Sequence, residues 1–101
     1  MEKDFSLSLE GTTLTVKLGE TLGINNAPLL MEDLNAYRGK GVDKVVFDAS
    51  DMTYISSSGI RTVIFAKQKL EKNPVIEFKN CCDDVRNVFN MTGLQNYISF
   101  V

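Results

Sequence analysis

The 101-residue sequence contains no histidine. That excludes a Ser-His-Asp triad, a Cys-His pair and every metal site built on imidazole. Its only cysteines, Cys81 and Cys82, are adjacent. Neighbouring side chains on an extended chain point in opposite directions, so the two are poor joint ligands, and the C-x-x-C spacing of zinc and redox motifs is missing. Cys81 is expected to pack as a small hydrophobe. No cluster of Lys or Arg stands out and the net charge is −2, which removes the electrostatic footprint of a nucleic-acid binder. No apolar run is long enough to span a bilayer, and no signal-peptide core follows Met1-Glu2-Lys3-Asp4, so the expected location is the cytoplasm.

What is present is the balance of an ordinary globular domain, 44% hydrophobic and 24% charged, and residues 1–101 read as one domain. Residues 5–9 and 14–18 alternate with period two around Glu10-Gly11-Thr12, which predicts a β-hairpin with one buried face. Asn25 or Asn26 is placed to cap a helix with Pro28 in its first turn. Ala27, Leu30, Met31, Leu34 and Tyr37 recur at helical spacing up to Gly39 or Gly41. Lys44-Val45-Val46-Phe47-Asp48 is short and continuously apolar at its centre, the pattern of a strand buried on both faces. Ile60, Val63, Ile64, Lys67 and Leu70 form a second helical stripe, closed by Lys72-Asn73-Pro74. A strand over 75–78 follows. Then comes a short helix capped by Asp83 or Asp84, with Val85, Val88, Phe89 and Met91 expected in the core, and a last strand over 97–101. The order β-β-α-β-α-β-α-β predicts an α/β fold, a mixed sheet of about five strands with an N-terminal hairpin and helices packed on it.

Polarity concentrates between the central strand and the second helix, where a parallel sheet gathers its functional groups. Asp48, Asp51, Thr53, Tyr54 and the run Ser56-Ser57-Ser58-Gly59 all lie there. A serine nucleophile is disfavoured, because no G-x-S-x-G elbow or S-x-x-K spacing surrounds Ser57. An aspartyl phosphoacceptor at Asp48 would need an acidic pair after the first strand, which runs into a hairpin instead. Gly59 alone supplies no phosphate cradle. The remaining reading makes a serine the substrate of another protein's kinase, since phosphorylation adds roughly −1.5 to −2 charges at a helix start whose free N–H groups can hold them. A plain helix cap is the bland alternative. Asp48 is expected to bond loop amides, and Arg61 to stand in solvent.

The run Asp48-Ala49-Ser50-Asp51-Met52-Thr53-Tyr54-Ile55-Ser56-Ser57-Ser58-Gly59-Ile60-Arg61 resembles the signature of STAS domains, specifically the bacterial anti-sigma factor antagonists. Val85-Arg86-Asn87-Val88-Phe89-Asn90-Met91-Thr92-Gly93-Leu94 resembles a second segment of that family, and residues 22–30 match its first more loosely. The resemblance implies a single STAS domain in which Ser57, or its neighbours Ser56 and Ser58, is phosphorylated by a cognate anti-sigma factor that is a serine kinase. It implies a partner face of Ser56, Ser57, Ser58, Gly59, Arg61, Thr53 and Asn25. Unphosphorylated protein would bind that kinase and free a sigma factor, and a PP2C-type phosphatase would reset the switch. ATP and magnesium would belong to the kinase, leaving this chain with no catalytic residue, cofactor, metal, nucleic acid or membrane insertion. Two positions depart from the family pattern: Ser56 stands where many antagonists carry Asp, and Gly23 where Asp is usual after the second strand. The alternative is a non-switching STAS scaffold or docking subunit, for example on an ABC-transporter ATPase in lipid transport.

Overall fold

A computed structural model describes residues 5–70 and 74–101. Met1 to Asp4, and the Lys72-Asn73 expected to close the second helix, lie outside the described residues. Phe5–Glu10 (β1) and Thr13–Leu18 (β2) form the expected antiparallel hairpin, with Glu10 opposite Thr13. Gly11 turns it at φ +63°, a conformation glycine adopts without steric cost. Lys44–Asp48 (β4), Val75–Lys79 (β6) and Ser99–Phe100 (β7) extend the sheet in parallel, giving the order β1-β2-β4-β6-β7. Helices Ala27–Asn35 (α1), Ser57–Lys69 (α2) and Asp83–Thr92 (α3) connect the strands, and a 3₁₀ turn, Leu94–Tyr97 (η1), precedes β7. The last strand is thus shorter than expected, because Tyr97 belongs to η1.

The register places Leu14, Val45 and Ile76 in one row and Val16, Phe47 and Phe78 in the next, all on one face. They share a single core with Leu30 and Leu34 of α1, Val63 and Ala66 of α2, and Val85 and Phe89 of α3. The helices therefore cover one side of the sheet. The central strand is not buried on both faces as expected: Val45 and Phe47 are fully buried, whereas Lys44, Val46 and Asp48 are half-buried. Val46 lies between Thr15 and Glu77, so its apolar side chain belongs to a polar, uncovered surface. Lys44 pairs with Glu77 there at 3.3 Å.

Two short strands are absent from the sequence reading. Thr21–Leu22 (β3) and Tyr54–Ile55 (β5) pair in parallel as a separate two-stranded sheet. Each runs almost directly into a helix, β3 into α1 and β5 into α2, so the pair sets the two helix starts side by side. Two further expectations are corrected. The residue at the start of α3 is Cys82, with no side-chain cap, and Asp83 and Asp84 occupy the first turn, where their charge suits the helix dipole. Met91 is 86% exposed rather than in the core, because it lies two residues past Phe89 and so on nearly the opposite side of the helix. Cys81 is half-buried against the core, and burial, with smaller contributions from nearby charges, pushes its thiol up to about 11. Among the described residues no helix is long and apolar enough to cross a membrane.

Candidate functional site

The candidate site is built where β3 and β5 end. Ser56 donates its backbone N–H to Leu22 O at 2.9 Å, continuing the β3–β5 pairing to the last residue before α2. Its backbone is extended, with φ −94° and ψ 176°, and its Oγ accepts from Gly59 N at 3.3 Å. Ser56 is therefore the N-cap, the bland role weighed for the whole stretch. Ser57 is the first residue of the helix and its side chain is exposed, while Ser58 is half-buried. Three hydroxyls that look equivalent in sequence are separated by helix geometry, and Ser57 faces solvent.

Gly59 is buried. A Cβ there would meet Leu22 O and Ile55 Cγ1, each at 2.6 Å. This position is glycine because the first turn of α2 lies against the β3 backbone, which gives it a packing role rather than an exposed one. Thr62, one turn on, is fully buried, and its Oγ1 lies 3.1 Å from Ser58 O and 3.3 Å from Ala27 O, sharing one proton between the two helix starts. Asn26 sits at the α1 N-cap without making a side-chain cap bond. Instead its Oδ1 accepts from Gly23 N at 2.7 Å and its Nδ2 donates to Thr21 O at 2.8 Å, closing the loop between β3 and α1.

Asn26 and Thr62 are the two buried polar side chains among the described residues, and both lie beneath this site. Sequence reasoning missed Thr62. Its signal was a hydroxyl three residues after Gly59 and four before Ala66, on the buried side of the stripe. Of the expected partner-face residues, Asn25, Thr53 and Arg61 are exposed, Arg61 about one turn along α2 from Ser57, and Ser56 and Ser58, the neighbours of Ser57 in the chain, are half-buried. Thr53 N donates to Glu20 O at 2.8 Å, anchoring the loop that enters β5. Ile24 adds an apolar side chain 78% exposed between β3 and α1. Neither α1 nor α2 carries an acidic residue in its first turn.

The loop after β4 is held by charge. Asp48 Oδ1 accepts from Ser50 N at 3.1 Å, as expected of a loop-binding carboxylate, and Lys17 reaches Asp48 at 3.7 Å, Asp51 at 3.2 Å and Ser50 Oγ at 2.9 Å. Partial desolvation pushes the Asp48 carboxyl up, but hydrogen bonds from Ser50 and attraction by Lys17 and Lys79 outweigh it and hold the group below its ordinary 3.8. A carboxyl depressed by folding stabilises the native state above its unfolded value and loses that contribution as protons bind the folded state. The expected result is a stability that declines as pH falls through 3.8 and below, with a shallower decline in Asp48→Asn. Denaturation at a series of pH values on both proteins measures it; parallel curves would remove this role. Among the described residues no group of three His, Cys, Asp or Glu is placed to hold a metal.

The STAS family model matches residues 6–101. This chain belongs to the STAS domain family. Solved STAS-like structures share its fold at low identity. A putative anti-sigma factor antagonist from Thermotoga maritima superposes with a TM-score of 0.83 at 17% identity, covering 95% of this chain and 84% of that one. SpoIIAA, the Bacillus cell fate determinant, in its phosphorylated form gives 0.75 at 18%, covering 96% and 90%. A sulfate transporter family protein from Wolinella succinogenes gives 0.72 at 11%, covering 92% and 80%. No curated protein sequence matches the chain. Within this STAS domain the two departures from the antagonist pattern are neighbours in space: a Cβ on Gly23 would lie 3.7 Å from Ser56 Oγ. A carboxylate at both positions would place two negative charges together, and this chain has neither.

Proposed function

We propose that this STAS domain is an anti-sigma factor antagonist that binds a cognate anti-sigma factor serine kinase in the cytoplasm and is released when that kinase phosphorylates Ser57. A PP2C-type phosphatase restores the binding form. The observation that carries the reading is the exposure of Ser57 at the first position of α2, with Arg61 exposed about one turn along the same helix, while Ser56 is engaged as the cap. The fold neighbours that are anti-sigma factor antagonists, one of them in a phosphorylated form, support it. The chain acts here as a substrate and binding partner, not as a catalyst. A phosphate on Ser57 adds about two negative charges at a helix N-terminus, where the N–H groups and dipole favour them. The same charge alters the face presented to the kinase.

Incubation with the cognate kinase and ATP, followed by peptide fragmentation, is expected to place phosphate on Ser57 and not on Ser56 or Ser58. Calorimetry is expected to show Ser57→Ala binding as the unmodified protein does, and Ser57→Asp binding at least about 30-fold more weakly, some 2 kcal/mol. Absence of phosphate from all three serines, or equal affinities, would end this reading. The Gly23 and Ser56 departures and the transporter-family neighbour favour a second reading, a non-switching scaffold docked on a transporter such as a lipid ABC ATPase. Co-purification with membrane ATPase subunits instead of a soluble kinase would select it.

A further inference from the structure

The two edges of the five-stranded sheet differ. β7 is two residues long, whereas β1 runs for six, and β2 is its one partner strand among the described residues. Edge strands are ordinarily blunted by brevity, by lysine or proline, or by a bulge. Phe5-Ser6-Leu7-Ser8-Leu9-Glu10 has no lysine or proline, and its register against β2 is unbroken. The pairing fixes which of its backbone groups face outward. Lys44 N donates to Thr12 O, so the even-numbered residues of β2 turn their N–H and C=O toward β4. Thr13, Thr15 and Lys17 therefore turn theirs toward Glu10, Ser8 and Ser6 of β1. The N–H and C=O of Leu7 and Leu9 are left pointing away from the sheet. Their side chains are half-buried on the helix side, and Ser6, Ser8 and Glu10 are exposed on the other. Along the first half of the strand the edge opens onto a groove of about 500 Å³, which Ala36, Tyr37 and Lys40 at the end of α1 line from the far side.

We propose that β1 is a self-pairing edge that joins two copies of this chain, antiparallel about a two-fold axis at Ser8. The occupant is a second copy because the strand is complementary to itself. Leu7-Ser8-Leu9 reads the same in both directions, so the two-fold sets leucine against leucine on the helix side and serine against serine on the open side. Leu7 N–H would donate to the partner's Leu9 O and Leu9 N–H to the partner's Leu7 O, which with their symmetry mates makes four bonds from groups that already point outward. Each Glu10 falls opposite the partner's Ser6. The two carboxylates are then separated by four residues of strand, about 14 Å, beyond the reach of unscreened repulsion. The product is a continuous sheet of ten strands with both helix layers on one side. This inference concerns an edge remote in sequence from Ser57 and does not depend on phosphorylation.

The test uses the full chain, unmodified at Ser57 and under reducing conditions, so failure of the phosphorylation reading leaves it intact and no cysteine cross-link contributes. A joint of two six-residue strands buries less than the roughly 1,200 Å² of a standard interface, so association is expected between about 0.1 and 1 mM and not at about 1 μM. Sedimentation velocity across that range is expected to pass from one chain to two. Amide exchange at the high end is expected to slow about fivefold or more at Leu7 and Leu9, while Ser6 and Ser8, already bonded to β2, stay unchanged. Ser8→Lys sets two like charges directly opposite each other at the two-fold and is expected to weaken association at least about tenfold. Ser99→Lys, on the other edge, is expected to leave it unaltered. Both serines are exposed, so neither substitution disturbs the core. A single chain at about 1 mM, or equal effects of the two substitutions, would overturn the proposal. So would a dimer in which Leu7 and Leu9 exchange as fast as in the dilute protein. Protection of the two leucines only by an added peptide of alternating threonine and valine would assign the edge to a strand of another protein and overturn it as well.

Discussion

Phe78→Ala is expected to destabilise the protein by about 3–5 kcal/mol, the range for removing a fully buried phenylalanine. Phe78 has no exposed surface and joins three other rings. Its centroid lies 5.1 Å from Phe47 in a stacked arrangement, 5.0 Å from Phe89 at a 56° tilt and 6.2 Å from Phe100. Through them it ties the central strand, α3 and the last strand to one another, and Phe89 and Phe100 touch independently at 5.9 Å. Arg86 lies 4.9 Å over the Phe100 ring and closes the outer side of the cluster. The cavity left by alanine opens between rigid sheet positions that collapse poorly, so the cost belongs toward the upper part of the range. A domain of this size holds roughly 5–15 kcal/mol in total. Urea denaturation is therefore expected to show a midpoint reduced by about half with an unchanged slope. A loss under about 1 kcal/mol would mean the cluster is not what binds the sheet to α3.

Gly59→Ala is expected to cost about 2–3 kcal/mol, although alanine is the better helix former by about 1 kcal/mol. Helix propensity and packing oppose each other here, and distance decides between them. The added Cβ would lie 2.6 Å from Leu22 O, a backbone atom, and 2.6 Å from Ile55 Cγ1. The side chain can rotate away. Leu22 O cannot recede without lengthening its 2.9 Å bond from Ser56 N, which holds the cap of α2 in place. Accommodation thus moves the start of α2, and with it Ser57, away from the loop carrying Asn25. Thermal unfolding is expected to shift down by about 4–8 °C for each kcal/mol lost. Faster hydrogen exchange at Ser56 and Gly59 than in Phe78→Ala would locate the damage at the site. A stabilised Gly59→Ala would show that propensity outweighs the clash.

Most of the architecture is legible in the sequence because amphipathic periodicity is a local property. The alternation around Gly11 and the helical stripes through Leu30 and Val63 each record a buried face within one element. Burial of the second face of a strand is not local. Val46 is apolar, yet its surroundings are decided by Thr15 and Glu77 on neighbouring strands and by where the helices pack. Met91 shows the same limit on a helix, since nothing in its own side chain says which side of α3 is covered. Two-residue strands such as β3 and β5 have no period to detect, and they bring the candidate site together.

The sequence by itself determined what this STAS domain lacks for histidine chemistry, the order of its elements, and the serine stretch at the entry to α2. Only the tertiary structure decided what each residue of that stretch does. Ser56 became the cap because its backbone finishes the β3–β5 pairing and its Oγ meets Gly59 N. Gly59 became a packing residue because Leu22 O is in the way of any side chain. Ser57 was left facing solvent, because residues two positions apart on a helix point about 200° from one another. The buried Gly59 lies that far around α2 from Ser57, so three similar hydroxyls become one cap, one half-buried neighbour and one accessible serine.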